Sequence, residues 1–304
     1  MKKKVLVLYY SQTGQLKCVI DSFIKDLPDS NIEVDLKPIK PKRDYPFPWP
    51  FYQFFDEFPE SVYLDGCEIE EIEDIDKDYD LVIIGYTVWY MAPSIPITAF
   101  IKSKQAKKIL KNKPVVTLIV CRDMWVLAQE KMKEMLKNIG AIHIDNVALT
   151  DRGGSVASLV TLPRFLWTGR KDAFLFFPPA GIDEIEIKRA SRFGKRLKEA
   201  LKNDKEKRRE PLLKNLGAVN VNGKLIATEK IANRSFKVWG KLIKMAGPKY
   251  SVERKVVITI YFTFLLSLIF TVVPLNIVIR KIVYPFQKEK IKAMEEYYEL
   301  PSGR

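Results

Sequence analysis

The sequence predicts an α/β domain built on a doubly wound sheet of five parallel strands, followed by a basic connector and one hydrophobic membrane helix. Three observations carry this. Apolar runs of strand length, without alternation, recur at residues 5–10, 79–85 and 114–121, the pattern of strands buried on both faces of a parallel sheet. Each run leads into a polar or aromatic turn and then a helical pattern, so the connections are crossovers and not hairpins. Finally, residues 256–279 run for 24 residues without a charge, against the ~20 that cross a bilayer as a helix.

The first unit, VLVLYYSQTGQLKCVIDSFI, reads strand, tight turn, helix, with Leu16, Val19, Ile20, Phe23 and Ile24 on one helical face. Residues 31–39 alternate apolar and polar, as a half-buried strand near a sheet edge does. Residues 41–59 (PKRDYPFPWPFYQFFDEFP) pack prolines and aromatics too densely for regular structure. They read as an ordered loop, either a lid over an apolar ligand or a cover on a sheet edge or dimer contact. An acidic stretch, 68–80, precedes the third strand. Residues 96–110 read as a helix, 114–121 as the fourth strand, 128–139 as a helix closed by Gly140, and 141–149 as the fifth strand. Residues 153–181 form an excursion too apolar for an ordinary surface loop, suited to a lipophilic channel, a bilayer contact or a second subunit. An amphipathic helix over 183–201 completes the first domain, with acidic residues at its start and basic ones at its end.

These readings give four parts: 1–204 as the α/β domain, 205–255 as a basic juxtamembrane connector with a short hairpin near 217–225, 256–279 as a transmembrane or membrane-inserted helix, and 280–304 as a charged tail. Charge follows the same division. The chain carries +14 in 304 residues, yet 1–204 holds 31 Lys and Arg against 29 Asp and Glu, while 205–255 holds 14 against 4. A basic block beside an apolar run points to a membrane surface and not to nucleic acid, and places the main domain on the cytoplasmic side of an inner or cytoplasmic membrane. Pro274 and Asn276 leave open whether the helix crosses or re-enters. Cys18, Cys67 and Cys121 fit no disulfide or metal spacing. With His143 as the only histidine, no His-based metal centre and no Ser-His-Asp triad can be assembled.

The chemistry concentrates in the turns after the strands. Ser11, Gln12, Thr13, Gly14 and Gln15 place backbone N–H groups and hydroxyls at the positive end of a helix, a cradle for one phosphate. A single glycine excludes both the GxxxxGK[ST] loop and the three-glycine dinucleotide fingerprint. An ordinary βα turn capped by Ser11 or Thr13 is the other reading. The second turn holds Thr87, Val88, Trp89 and Tyr90, an aromatic wall with backbone hydrogen-bonding groups. The third holds Cys121, Arg122, Asp123 and Trp125. Ligands of open α/β sheets bind beyond the carboxyl ends of the strands, so all three turns converge there.

YYSQTGQ resembles the phosphate loop of flavodoxin-like FMN proteins, and GYTVWY resembles the segment that borders the isoalloxazine in the NAD(P)H-dependent FMN oxidoreductases of that superfamily. Thr87 replaces a common Pro, and Leu16 replaces a common Thr, which removes one hydroxyl contact. The resemblance covers about two-thirds of the chain. Together with YPFPWPF and the hydrophobic C-terminal part, the sequence is most similar to the dialkylresorcinol condensing enzyme group. That resemblance implies FMN as cofactor, NAD(P)H as a transient co-substrate, a lipophilic quinone- or cyclohexanedione-like substrate, and a homodimer or biosynthetic-complex partner. Ser11 to Gln15 would hold phosphate, and Thr87 to Tyr90 with Cys121, Arg122, Asp123 and Trp125 would surround the ring. Tyr90 and Asp123 are the candidate catalytic residues by position. Two further functions fit the residues: a membrane-tethered electron carrier, and a scaffold without flavin.

Overall fold

A computed structural model describes residues 2–75, 78–151 and 153–303. In order, the elements are β1 (Lys3–Tyr9), α1 (Gln15–Ile24), β2 (Ile32–Pro38), α2 (Phe51–Asp56), α3 (Phe58–Tyr63), β3 (Leu81–Tyr86), β4 (Val88–Trp89), β5 (Ala92–Pro93), α4 (Ile95–Ile101), α5 (Lys104–Leu110), β6 (Pro114–Cys121), α6 (Val126–Asn138), β7 (Ile142–Thr150), α7 (Gly154–Thr168), α8 (Glu184–Arg189), α9 (Ser191–Lys202), α10 (Gly223–Ala246) and α11 (Val252–Glu299). The main sheet has the order β2-β1-β3-β6-β7 with every pairing parallel. This is the flavodoxin-like 2-1-3-4-5 order, whose reversal lies between β1 and β3.

The apolar runs form the strands because both faces are covered. Val5 to Leu8 and all of Leu81 to Ile84 are buried. Phe23 of α1 stacks on Phe193 of α9 at 5.9 Å, while Phe100, Ile109, Met132 and Leu136 from α4, α5 and α6 are buried in the same core. At ~1.5–3 kcal/mol per large apolar side chain, this core is the main favourable contribution to the fold.

Several elements differ from the sequence reading. The helix expected over 96–110 is two helices, because Ser103 accepts the Ala106 N–H (3.0 Å) and starts α5 afresh. The helix over 183–201 is likewise split at Ala190 into α8 and α9. The aromatic loop contains α2 and α3, whose apolar faces pay for the ordering of a proline-rich stretch. The excursion after β7 contains the 15-residue helix α7 with Pro163 inside it. No hairpin occurs at 217–225 among the described residues; α10 begins there instead. Asp76 and Lys77 of the acidic stretch lie outside the described residues.

The hydrophobic core does not stop at residue 204. Leu212, Leu213, Ala218, Val219, Val221 and Ile226 are buried within it. Ala148 of β7, the last strand of the sheet, donates its N–H to the Ala218 carbonyl (2.8 Å), so the segment covers a sheet edge. A second apolar cluster joins α2 and α3 to α10 and the start of α11 through Phe55, Phe58, Val62, Ile243, Ile258 and Tyr261. Phe58 and Tyr261 stack with centroids 5.0 Å apart and planes 4° apart.

Beside this cluster, the buried Arg254 lies 2.8 Å from Asp56 and 2.7 Å from Glu60. It also donates to the Asp56 carbonyl (2.7 Å). Arg254→Ala strands two buried carboxylates and is expected to lower the unfolding free energy by about 3–5 kcal/mol. Lys255→Ala, at an exposed neighbour, should cost no more than about 0.5 kcal/mol. Urea titrations of both variants in detergent check the difference.

Candidate functional site

A cavity of about 310 Å³ opens at the carboxyl ends of the strands, within the usual size of small-molecule sites. It is lined by Gln12, Thr13 and Gln15 after β1, by Thr87 to Met91 after β3, by Cys121 to Met124 after β6, and by Asp151 after β7. Three of the expected residues lie elsewhere. Ser11 and Gly14 face a neighbouring depression, and Trp125 is buried in the core as the residue that starts α6.

The turn after β1 has the chemistry of an anion cradle. Gly14 takes φ 80°, which an L side chain adopts only with strain. The Ser11 hydroxyl accepts the Lys17 N–H (3.2 Å), so this side chain caps α1 as well as shaping the loop. The Gln12 amide donates to the Pro46 carbonyl (2.9 Å), which ties the loop to the aromatic segment. Among the described residues, no acceptor engages the backbone N–H groups of Gln12 to Leu16. A helix N-terminus leaves such donors free for an anion.

The wall is aromatic and interlocked. Trp89 meets Tyr45 at 5.0 Å, Trp49 at 5.5 Å and Tyr10 at 6.0 Å, all edge to face. Tyr90 and Met91 both have positive φ and turn the β4–β5 hairpin. Lys131 secures that turn by donating to the Met91 carbonyl (2.9 Å). The Tyr90 hydroxyl donates to the Phe54 carbonyl, and burial pushes its pKa well up. Tyr90 therefore contributes a ring to the wall, and its proton is committed to the backbone. The cover comes from the two segments that sequence left without an element. Trp49 and Phe54 stand on one side, Leu162, Phe165 and Leu166 of α7 on the other, and the Trp49 N–H donates to the Leu166 carbonyl (2.7 Å).

Charge gathers at the third turn. Arg122 donates to the Thr161 hydroxyl (2.6 Å) and lies 3.6 Å from Asp151. Asp151 accepts the N–H groups of Gly153 and Gly181, both at 2.8 Å, and so holds the cover in place. Asp123 accepts no hydrogen bond from the described residues. Burial raises its pKa to about 6, with Arg122 opposing the shift. Burial also pushes the Cys121 thiol well up, so it is a neutral lining group. Thr87 has a buried hydroxyl oxygen with no partner among the described residues.

FMN can be tested against this arrangement. The unpartnered N–H groups of Gln12 to Leu16 suit a monophosphate, and the orphaned Thr87 hydroxyl in an aromatic-walled cavity suits the polar edge of a flat ring. The residues fit the group. Asp151, Trp49 and the α7 side chains are additions to the sequence-derived set. Asp151 was within reach of the strand-end argument, since it follows β7 directly; Phe236 of α10, which also lines the cavity, had no local signal.

No family model matches the chain, and no curated protein matches it. Among solved structures it is similar to a flavoprotein in complex with FMN from Lactobacillus acidophilus NCFM, at 24% identity over 47% of this chain and 93% of that one, with a TM-score of 0.39. It is also similar to a flavodoxin from the domain Archaea (12% identity, 66% and 99% covered, TM-score 0.37). A flavone reductase matches at 14% identity over 66% of this chain and 64% of that one, with a TM-score of 0.35.

Under the site, Glu229 of α10 accepts the Leu127 N–H (2.7 Å) at the start of α6. Burial raises its pKa to about 7, partly offset by the backbone N–H groups it caps. An unfolded glutamate titrates near 4.5. The stabilisation of the protonated carboxyl is therefore complete below about pH 4.5 and is lost as pH rises through 7. Glu229→Gln should flatten the fall in urea midpoint between pH 5 and pH 8, since a neutral amide oxygen can still accept from Leu127.

Proposed function

We propose that this chain is a membrane-associated, FMN-dependent oxidoreductase acting on a lipophilic quinone- or cyclohexanedione-like substrate. The aromatising step of dialkylresorcinol biosynthesis is the reaction its sequence resemblance favours. The observation that carries the reading is the shared cavity: the β1 turn with its free N–H groups, the Trp89 wall and the half-buried Asp123 carboxyl line one partly covered space. An electron carrier needs its redox group near the surface, whereas here two apolar segments roof the site.

Bound FMN would supply two-electron redox chemistry at its isoalloxazine ring. The chain's own residues do the rest. The Gln12 to Leu16 N–H groups would hold the phosphate, and Trp89 with Thr87 would orient the ring. Trp49, Phe54 and Phe165 exclude water and offer apolar surface to an alkyl chain. Phe54, Tyr90 and Phe236 belong both to the cavity wall and to the cluster around α11, so apolar side chains run continuously from the hydrophobic helix to the site. NAD(P)H would reach the same cavity transiently, and a homodimer or a biosynthetic partner would cover its mouth further.

Asp123 is the residue placed to exchange a proton. With a pKa near 6 it is largely deprotonated at neutral pH and able to accept a proton from a hydroxyl or an acidic carbon. In the aromatising direction kcat/KM should rise with pH through about 6. Asp123→Asn should abolish that limb and lower the rate by about 10²–10⁴. The preceding measurement is the visible spectrum of the full-length protein in detergent with added FMN and then NADPH. Flavin bands that bleach, with turnover of an alkylated quinone or cyclohexanedione, support the enzyme. Bleaching without turnover of either points to the electron carrier, and absence of binding at micromolar FMN removes the proposal in favour of a scaffold.

A further inference from the structure

The apolar run 256–279 lies within α11, and both ends of α11 are attached to the same body. At its start, Arg254 is buried between Asp56 and Glu60. At its end, the Glu295 carboxylate accepts the Gly223 N–H (3.0 Å), and Gly223 sits so close that a Cβ there would lie 2.6 Å from Ile291. Just beyond, the buried Ser302 hydroxyl donates to the Asn146 carbonyl (2.7 Å) and accepts the Asn146 N–H (2.6 Å) in the last strand of the sheet.

The lengths show that α11 cannot run straight between these anchors. Near its start it meets α10 where Trp239 contacts Tyr261 (5.3 Å) and Phe264 (5.1 Å). Near its end it meets α10 again at Gly223. From Trp239 back to Gly223 is about 24 Å of helix, but from Tyr261 on to Ile291 is about 45 Å at 1.5 Å per residue. The surplus of roughly 20 Å must bow away from α10 and come back. The sequence places Pro274 and Pro285 in this stretch, and each lacks the N–H of an interior helical bond.

We propose that residues 256–279 form a re-entrant membrane anchor, entering and leaving one leaflet on the side of the α/β domain, and that the occupant of this surface is a bilayer with anionic headgroups. Only 11% of the Val252–Val272 window is buried. Val256, Ile260 and Phe270 of α11 and Ile231, Leu242 and Met245 of α10 are exposed apolar side chains. Exposed Lys237, Lys241, Lys244 and Lys255 lie among them, the pairing of apolar area and basic collar that holds a protein in the plane of an anionic membrane. A second copy of the chain would bring the +10 of residues 205–255 against itself, which disfavours a protein partner of like charge.

The inference rests on the membrane association proposed above, and one experiment separates the two. Full-length protein carrying Lys288→Cys, at an exposed position, is bound to phosphatidylcholine–phosphatidylglycerol vesicles, floated, and treated with a membrane-impermeant maleimide. Labelling is then resolved by peptide, with the exposed native Cys18 as internal reference. The expected result is equal labelling of both positions before detergent is added. Label at position 288 that appears only after the vesicles are dissolved, while Cys18 labels at once, means a spanning helix and overturns the re-entrant anchor alone. Protein that stays at the bottom of the gradient overturns membrane association itself. Phe270→Asp, at a side chain 75% exposed, should reduce the floated fraction on the order of tenfold or more without perturbing the folded domain.

Discussion

The constraint on which the rest depends is that β1 is hydrogen-bonded on both sides, by β2 on one flank and β3 on the other. A strand in that position has no exposed edge, and the crossover helices of a parallel sheet cover both of its faces, which is why residues 5–8 are wholly apolar and wholly buried. It also fixes where the chain can bind anything. The crossovers depart in opposite directions from β1 and β3, so the turns at their carboxyl ends cannot cover one another, and a crevice is left between them. Thr13 and Trp89 line that crevice from opposite sides because of strand order alone.

An open crevice of this kind is wet, and the chain closes it with the two covering segments and one further side chain from α10. The proline-aromatic stretch contributes Trp49 and Phe54, α7 contributes Phe165 and Leu166, and α10 contributes Phe236. They are cross-linked by polar contacts as well as by apolar packing: Trp49 N–H to the Leu166 carbonyl, Gln12 to the Pro46 carbonyl, Asp151 to Gly181. The effect on chemistry is direct. Asp123 is raised to about 6 because burial penalises its charge more than Arg122 relieves it. With the cover removed, water would solvate the carboxylate and return it toward ordinary acidity. The roof that would admit an alkyl chain is therefore also what tunes the acid.

Much of this was legible in the sequence, for a local reason. Strands buried on both faces write themselves as unbroken apolar runs, and the turns after them are fixed by adjacency, so Gln12, Thr13, Trp89, Arg122 and Asp123 could be assembled before any coordinates. What could not be read was set by distant partners. Tyr90 has the right position, but its hydroxyl donates to the backbone carbonyl of Phe54, 36 residues earlier. Trp125 has the right composition, yet it is consumed by the start of α6. The helices α3 and α7 carry Pro59 and Pro163, which discourage a helical reading, and packing on α11 and on the cavity overrides that preference. Residues 212–226 look like a charged linker until Leu212, Leu213 and Val219 are seen under the edge of the sheet.

The C-terminal part then follows from the same logic as the core. Glu229 caps α6, Arg254 is locked between Asp56 and Glu60, and Ser302 bonds to β7, so α10 and both ends of α11 are fastened to the body that holds the site. A helix that merely tethered the domain would need one attachment, with a flexible joint between them. Three buried polar attachments instead hold the apolar surface at a set orientation relative to the cavity, because each would leave a desolvated group unpaired if the layer swung away. The aromatic contacts from Phe262 through Phe55 and Phe54 to the cavity keep their geometry under that condition. Under the membrane association proposed above, a lipophilic molecule leaving the bilayer would meet the same wall, in the same order, at every encounter.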